Sequence, residues 1–234
     1  MMDVLAEIVG NADPAYDAFN RRLVPGIGTS YGVRVPVLRR IAGSILADDW
    51  GSFLESERTC FEEDLLHGIV IAECTADMDT RMMHLRRFVP TIDNWAVCDI
   101  TCGKWNLPEE EATVLWDYCE ELLDSGEEFP MRFAAVMMMS NFLDDSHARA
   151  ILEHMVTRYH PGYYYRMGAA WCISYCYAKY PAMTERCMFS GRMDEDVLRR
   201  SVRKIRESRR IDRESKDRLK ERLEQTLSRS PRSS

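Results

Sequence analysis

The sequence predicts an all-α fold built from short, repeating helix pairs. Three observations lead there. Glycine and proline are both scarce, 12 and 9 in 234 residues, which disfavours a sandwich or barrel with many tight turns. Apolar residues recur at helical spacing through most of the chain, and no stretch keeps the alternation of a half-buried strand. Breaks carried by Pro, Gly, Asp or Asn divide the chain into about a dozen segments of single-helix length.

The segments run as follows. Met2 to about Leu23 opens as helix, divided in two at Asp13-Pro14. Gly26-Ile27-Gly28-Thr29-Ser30-Tyr31-Gly32 is the clearest loop, with three glycines in seven residues. Val35-Pro36 then starts a helix, with Val37, Leu38, Ile41 and Ile45 along one face. Ser56 to Glu73 reads as an amphipathic helix whose apolar side is Leu65, Leu66, Ile69, Val70 and Ala72. Asp77 to Phe88 follows and stops near Pro90. Thr91 to about Trp105 comes next, and Pro108 opens another helix. Asp124-Ser125-Gly126 separates that helix from Pro130–Leu143. Ser146 is the expected N-cap of His147–Tyr159. The break His160-Pro161-Gly162 precedes Tyr163–Tyr180, Pro181 opens a further helix, and two basic helices meet near Ile211-Asp212.

Helix pairs thus recur at roughly 35–40 residues, near the HEAT period. The expectation is one HEAT-like (ARM-type) helical-repeat solenoid over residues 1–226, with a concave face, and a flexible tail at 227–234. A compact helical bundle is the alternative.

Composition narrows the function classes. The apolar stretches are interrupted by Glu, Asp or Arg and fall short of the roughly 20 apolar residues that cross a bilayer. The N-terminus carries acids early and no basic start, unlike a signal peptide. Eight cysteines are spread without the density of a disulfide scaffold, so reduced thiols in a cytoplasmic protein are expected. The net charge is −7, but it is unevenly placed. From Gly191 to Ser234 there are 15 Lys/Arg against nine Asp/Glu, a net +6 that leaves −13 on the rest. The stretch RRSVRKIRESRRIDRESKDRLKERLEQ is either a solvated face laced with ion pairs or a phosphate-facing surface.

Three clusters could carry chemistry. In Asp93-Asn94-Trp95-Ala96-Val97-Cys98-Asp99, Trp95 and Asp99 are four residues apart and share one face of a helix. An indole beside a carboxylate suits a cationic ligand. The plainer alternative is a core tryptophan and a carboxylate that caps a helix or pairs with an arginine. Arg132 stands in the otherwise apolar Pro130-Met131-Arg132-Phe133-Ala134-Ala135-Val136, where it either grips a phosphate or the Asp99 carboxylate, or lies along the surface. In Tyr163–Trp171, the small residues Gly168-Ala169-Ala170 permit close helix packing or leave room beside the Trp171 indole.

Other patterns are weaker. Cys98-x3-Cys102 and Cys172-x3-Cys176 read as buried small hydrophobes, the histidines as structural, and Met137-Met138-Met139 as core filler. No phosphate-binding glycine loop or nucleophile elbow is present.

Several of these segments resemble the bacterial AlkD-type DNA glycosylases. Tyr31-Gly32-Val33-Arg34-Val35-Pro36-Val37-Leu38-Arg39 resembles the family's G-V-R-x-P-x-L-R opening. Trp95 through Asp99 resembles its W-x-x-x-D segment, and Met131-Arg132-Phe133-Ala134-Ala135 its R-x-A helix. Tyr164 through Trp171 resembles the helix carrying its second active-site tryptophan. Ser201-Val202-Arg203-Lys204-Ile205-Arg206-Glu207-Ser208 resembles the K-I-x-E-S ending of a shorter branch. The matches run in the family's order from about Tyr31 to Ile211.

The resemblance implies a glycosylase that hydrolyses the N-glycosidic bond of cationic alkylated purines, of the 3-methyladenine and 7-methylguanine type, in duplex DNA. It implies that Trp95 and Trp171 flank the lesion's deoxyribose and backbone and that Asp99 is the catalytic carboxylate. Arg132 would hold the backbone or the carboxylate. Arg34, Arg166 and Lys204, in matching segments, are the further DNA-binding residues expected. No metal or cofactor is implied, and the chain is expected to act as a monomer. The acidic body of the chain favours the alternative, a non-catalytic HEAT-repeat scaffold for protein or nucleic acid.

Overall fold

A computed structural model describes residues 2–103 and 105–229. Among the described residues the secondary structure is entirely helical, fourteen α-helices and one 3-10 turn. The chain divides into two units, the first running to Leu115 and the second beginning at Trp116.

The first unit holds α1 (Val4–Gly10), α2 (Pro14–Leu23), α3 (Val35–Ala47), α4 (Trp50–Leu54), α5 (Phe61–Glu73), α6 (Met78–Phe88), a 3-10 turn (Val89–Thr91) and α7 (Trp95–Thr101). Aspartates mark the helix starts. Asp3, Asp13, Asp49 and Asp77 each accept the backbone N–H three residues on, and Asn94 accepts those of Ala96 and Val97. Each cap satisfies donors that the first helical turn leaves without a partner.

Helices α3, α5 and α7 pack in series, with α4 and α6 also against α5. That is the helix-pair arrangement expected of a HEAT-like repeat. The sequence predicts α5 as one-sided and starting near Ser56. It starts instead at Phe61, and 11 of its 13 residues are buried, Glu62, Glu63 and His67 among them. Neighbours on several sides explain the burial. The late start follows from Thr59, whose N–H and hydroxyl both donate to the Glu63 carboxylate, at 2.6 and 2.9 Å. That reach-back caps α5 before the chain can extend it towards Ser56.

The other two buried polar groups of α5, Glu62 and His67, have distinct roles. Glu62 Oε1 accepts the backbone N–H groups of Tyr31, Gly32 and Val33, at 3.0, 2.8 and 3.2 Å. It thereby pins the glycine-rich loop. Gly32 has φ +72° there, and a Cβ would overlap the Asp13 carbonyl and the Asp17 nitrogen. His67 lies against the Phe53 ring, centroids 4.4 Å apart. Its Nδ1 lies 2.9 Å from the Glu63 carbonyl, which makes Nδ1 the donor.

Burial lowers the His67 pKa to about 4, from an ordinary 6.5. The unfolded chain therefore binds more protons than the native one between those values, so native stability falls as pH drops from 6.5 towards 4. The melting temperature is expected to decline through that window, and His67→Leu to flatten the decline. Parallel slopes in the two proteins would refute His67 as the source.

The second unit holds α9 (Glu128–Asn141), α10 (Ala148–Thr157), α11 (Tyr163–Lys179), α12 (Pro181–Met188), α13 (Glu195–Glu207) and α14 (Arg213–Arg229), after α8 (Glu109–Leu123). The series repeats, α9 on α11 and α11 on α13, with α10 and α12 also against α11. Every residue from Met131 to Met139 is buried, so the methionine run is core. Ser146 is not the N-cap of α10. The helix starts at Ala148, with His147 in the cap position and no side-chain cap bond. Asp144 Oδ1 accepts the N–H groups of Ser146 and His147, at 3.0 and 2.9 Å, in the turn that leads into it.

The basic stretch forms ion pairs along α13, Arg199 with Glu195, Arg200 with Asp196 and Arg203 with Glu207. Helix α14 runs on to Arg229. The rest of the tail expected at 227–234 lies outside the described residues.

The eight cysteines form no disulfide, and all but Cys187 are buried. Burial pushes the Cys60 thiol up to about 12. No helix among the described residues is long and apolar enough to cross a membrane.

Candidate functional site

In the first unit the site residues are set by how α7 seats on α5. Val97, Cys98 and Thr101 form the buried side of α7. Gly68 of α5 makes the close approach possible, since a Cβ there would overlap the Thr101 hydroxyl. Thr101 in turn donates to the Val97 carbonyl at 2.8 Å. Trp95 and Asp99, one turn apart, are left half-buried.

Trp95 is oriented by a hydrogen bond as well as by packing. Its Nε1–H donates to the Leu23 carbonyl at 3.0 Å, at the end of α2. Gly68→Val is expected to destabilise the protein by about 1–3 kcal/mol through overpacking, and to move α7 with its two site residues. Chemical denaturation together with the intrinsic tryptophan fluorescence checks this. An unchanged midpoint and spectrum would show that α7 does not depend on Gly68.

Trp105, by contrast, is structural. Its indole N–H donates to the Thr101 carbonyl at 2.9 Å, and the Arg81 guanidinium lies 4.4 Å from its ring centre. Arg81 also donates to the Ile71 and Ala72 carbonyls near the C-terminal end of α5. Arg34 precedes α3, pairs with Asp13 at 2.9 Å and stacks over the Tyr16 ring at 4.5 Å. That ion pair is surface-exposed and worth little in stability.

In the second unit Arg132 is buried at 5% exposure rather than lying along the surface. Its guanidinium donates to the Tyr164 carbonyl at 2.8 Å. The stem passes over Gly168, where an added Cβ would come 3.2 Å from Arg132 Cγ. The small-residue run before Trp171 therefore serves close packing of α9 on α11. Arg166 pairs with Asp196 at 2.8 Å.

Trp171 and Lys204 come together. Both line a cavity of about 290 Å³ with Tyr175, Ser208, Arg209 and Arg210. The Trp171 and Tyr175 rings meet edge to face, centroids 5.9 Å apart. The Arg210 guanidinium sits 4.8 Å from the Tyr175 ring centre. Lys204 Nζ is 3.6 Å from Glu207.

Sequence patterns single out Trp171 and Lys204 but not Tyr175, Arg209 or Arg210. The available signal is the basic run through Arg209-Arg210, whose phosphate-facing reading stays open. What the arrangement offers chemically is an aromatic wall beside concentrated positive charge, a combination that binds nucleic acid strands.

Among the described residues no group of three or more His, Cys, Asp or Glu is gathered as a metal site. No curated protein and no solved structure matches the chain. A family model described as DNA alkylation repair enzyme matches residues 4–152. That segment contains Arg34, Trp95, Asp99 and Arg132, while Arg166, Trp171 and Lys204 lie beyond it. Since the match spans more than half of the sequence, the chain belongs to the DNA alkylation repair enzyme family.

Proposed function

We propose that the protein is a DNA glycosylase that hydrolyses the N-glycosidic bond of cationic alkylated purines in duplex DNA. Membership of a DNA alkylation repair family sets the context. The observation that carries the reading is the pairing on α7, an oriented indole and a carboxylate one turn apart, neither sealed in the core.

The chemistry suits that pair. A purine alkylated on a ring nitrogen is already positively charged, so it leaves as a neutral base when it takes the electrons of the glycosidic bond. The sugar is left with oxocarbenium character. Asp99 stabilises this charge and accepts the proton of the water that adds to the anomeric carbon, and that proton passes on to solvent. The products are the free base and an abasic sugar. The face of Trp95 attracts the same positive charge, by about 0.5–2 kcal/mol. Arg34, Arg166 and Lys204 are the basic residues assigned to the DNA backbone, while Arg132, buried on the Tyr164 carbonyl, holds α9 against α11.

The direct test is incubation of the purified protein with methylated duplex DNA, followed by chromatography of the released bases. Free 7-methylguanine or 3-methyladenine above the spontaneous rate supports the reading. Release at the spontaneous rate overturns it in favour of a non-catalytic helical scaffold.

A further inference from the structure

We propose that the turn between α13 and α14 is a phosphodiester clamp. Arg209, Arg210 and Lys204 would hold adjacent phosphates of a DNA strand, while Trp171 and Tyr175 face the adjoining sugar. The clamp rests on the reading of this protein as one that acts on DNA. It adds to that reading two residues, Arg209 and Arg210, that no sequence motif assigns.

Four features of the cavity carry the inference. Three cationic side chains line it against the single carboxylate of Glu207, so its occupant is an anion. Glu207 offsets this charge weakly, because its Lys204 pair is loose at 3.6 Å and half exposed. Arg210 is held in place by its stacking over Tyr175 and by its backbone N–H, which donates to the Ser208 hydroxyl at 3.2 Å. Trp171 and Tyr175 add an aromatic face, beside the small residues Ser174, Ala178 and Ser208. A bare anion has no use for such a surface, whereas a nucleotide's sugar or base packs against it.

The charge distribution points the same way. The arginines of α13 are largely consumed by pairs one turn apart, Arg199–Glu195, Arg200–Asp196 and Arg203–Glu207. Arg209 and Arg210 sit past the end of that helix, outside this ladder. Both are exposed, in a C-terminal stretch, Gly191–Ser234, that carries a net +6 in an otherwise acidic chain. Phosphate neutralisation by a few such side chains dominates DNA affinity.

The test is binding of an undamaged, fluorescently labelled DNA duplex over a salt series, read by anisotropy. The proteins compared are wild type, R209A/R210A, R209Q/R210Q and the control R192A, whose arginine pairs with Glu153. Loss of two phosphate contacts is expected to flatten the slope of log affinity against log salt by about 1.8. Affinity at low salt should fall about 10-fold or more, and R192A should match wild type. The glutamine variant keeps much of the aliphatic stem against Tyr175, so it separates lost charge from lost packing.

A double variant with wild-type slope and affinity overturns the clamp, as does a wild-type protein that fails to bind duplex DNA. Base release is scored separately. If the slope changes as described but wild type releases no base from methylated DNA, the clamp stands and the glycosylase reading falls.

Discussion

Asp99→Asn is expected to slow release of 7-methylguanine from methylated duplex DNA by about 10²–10³-fold, the usual cost of removing one preorganised group that stabilises transition-state charge. Asparagine keeps the size and much of the hydrogen-bonding geometry of aspartate but carries no negative charge and cannot take a proton from water. The variant should therefore bind the DNA with nearly unchanged affinity and fail at the chemical step. Single-turnover release at saturating protein isolates that step from binding. The leaving group is already activated by its own charge, so the residual rate should stay above the spontaneous one, supported by the Trp95 indole. A variant that releases base at the wild-type rate would remove Asp99 from the mechanism. One that loses affinity and rate together would mark it as a structural or binding group.

Glu62→Ala is expected to lower the unfolding free energy by about 3–5 kcal/mol, since three backbone N–H groups lose their common acceptor and two of those bonds are buried. Glu62 itself is 1% exposed, so water does not readily replace it. Glu62→Gln should recover part of the loss, because an amide oxygen still accepts from the same donors with weaker, uncharged hydrogen bonds. Urea denaturation of the three proteins checks the order wild type, Gln, Ala. A loss below about 1 kcal/mol in the alanine variant would show that the loop holds its form without the carboxylate.

Much of the fold was legible in the sequence because helix starts and stops depend on residues within one turn of each other. Asp13 and Asp77 stand at boundaries that the sequence alone suggests, and each caps the helix that follows. The separation of Trp95 and Asp99 places them on one face of α7 whatever surrounds it. Where local patterns misled, an acidic side chain had a partner that no local pattern shows. Asp144 ties down the turn before α10, where Ser146 is expected as the cap, and Glu63 accompanies the late start of α5 by turning back to Thr59.

The order of residues along the chain is enough to set the helical class, the order and approximate limits of the helices, and the α7 pairing of an indole with a carboxylate. These follow from periodicity and capping, which act over about four residues. Helix-on-helix packing decided that α5 is buried on nearly every side, and that Glu62 reaches a loop some thirty residues away. It also decided that Glu128 accepts the N–H of Tyr164 across two helices, and that Trp171 shares a cavity with Lys204 and Arg210. Each of these depends on which helix stacks against which. A chain of helices joined by short turns can pack in several ways that leave its local hydrogen bonds unchanged, so the hydrophobic pattern does not encode these partners.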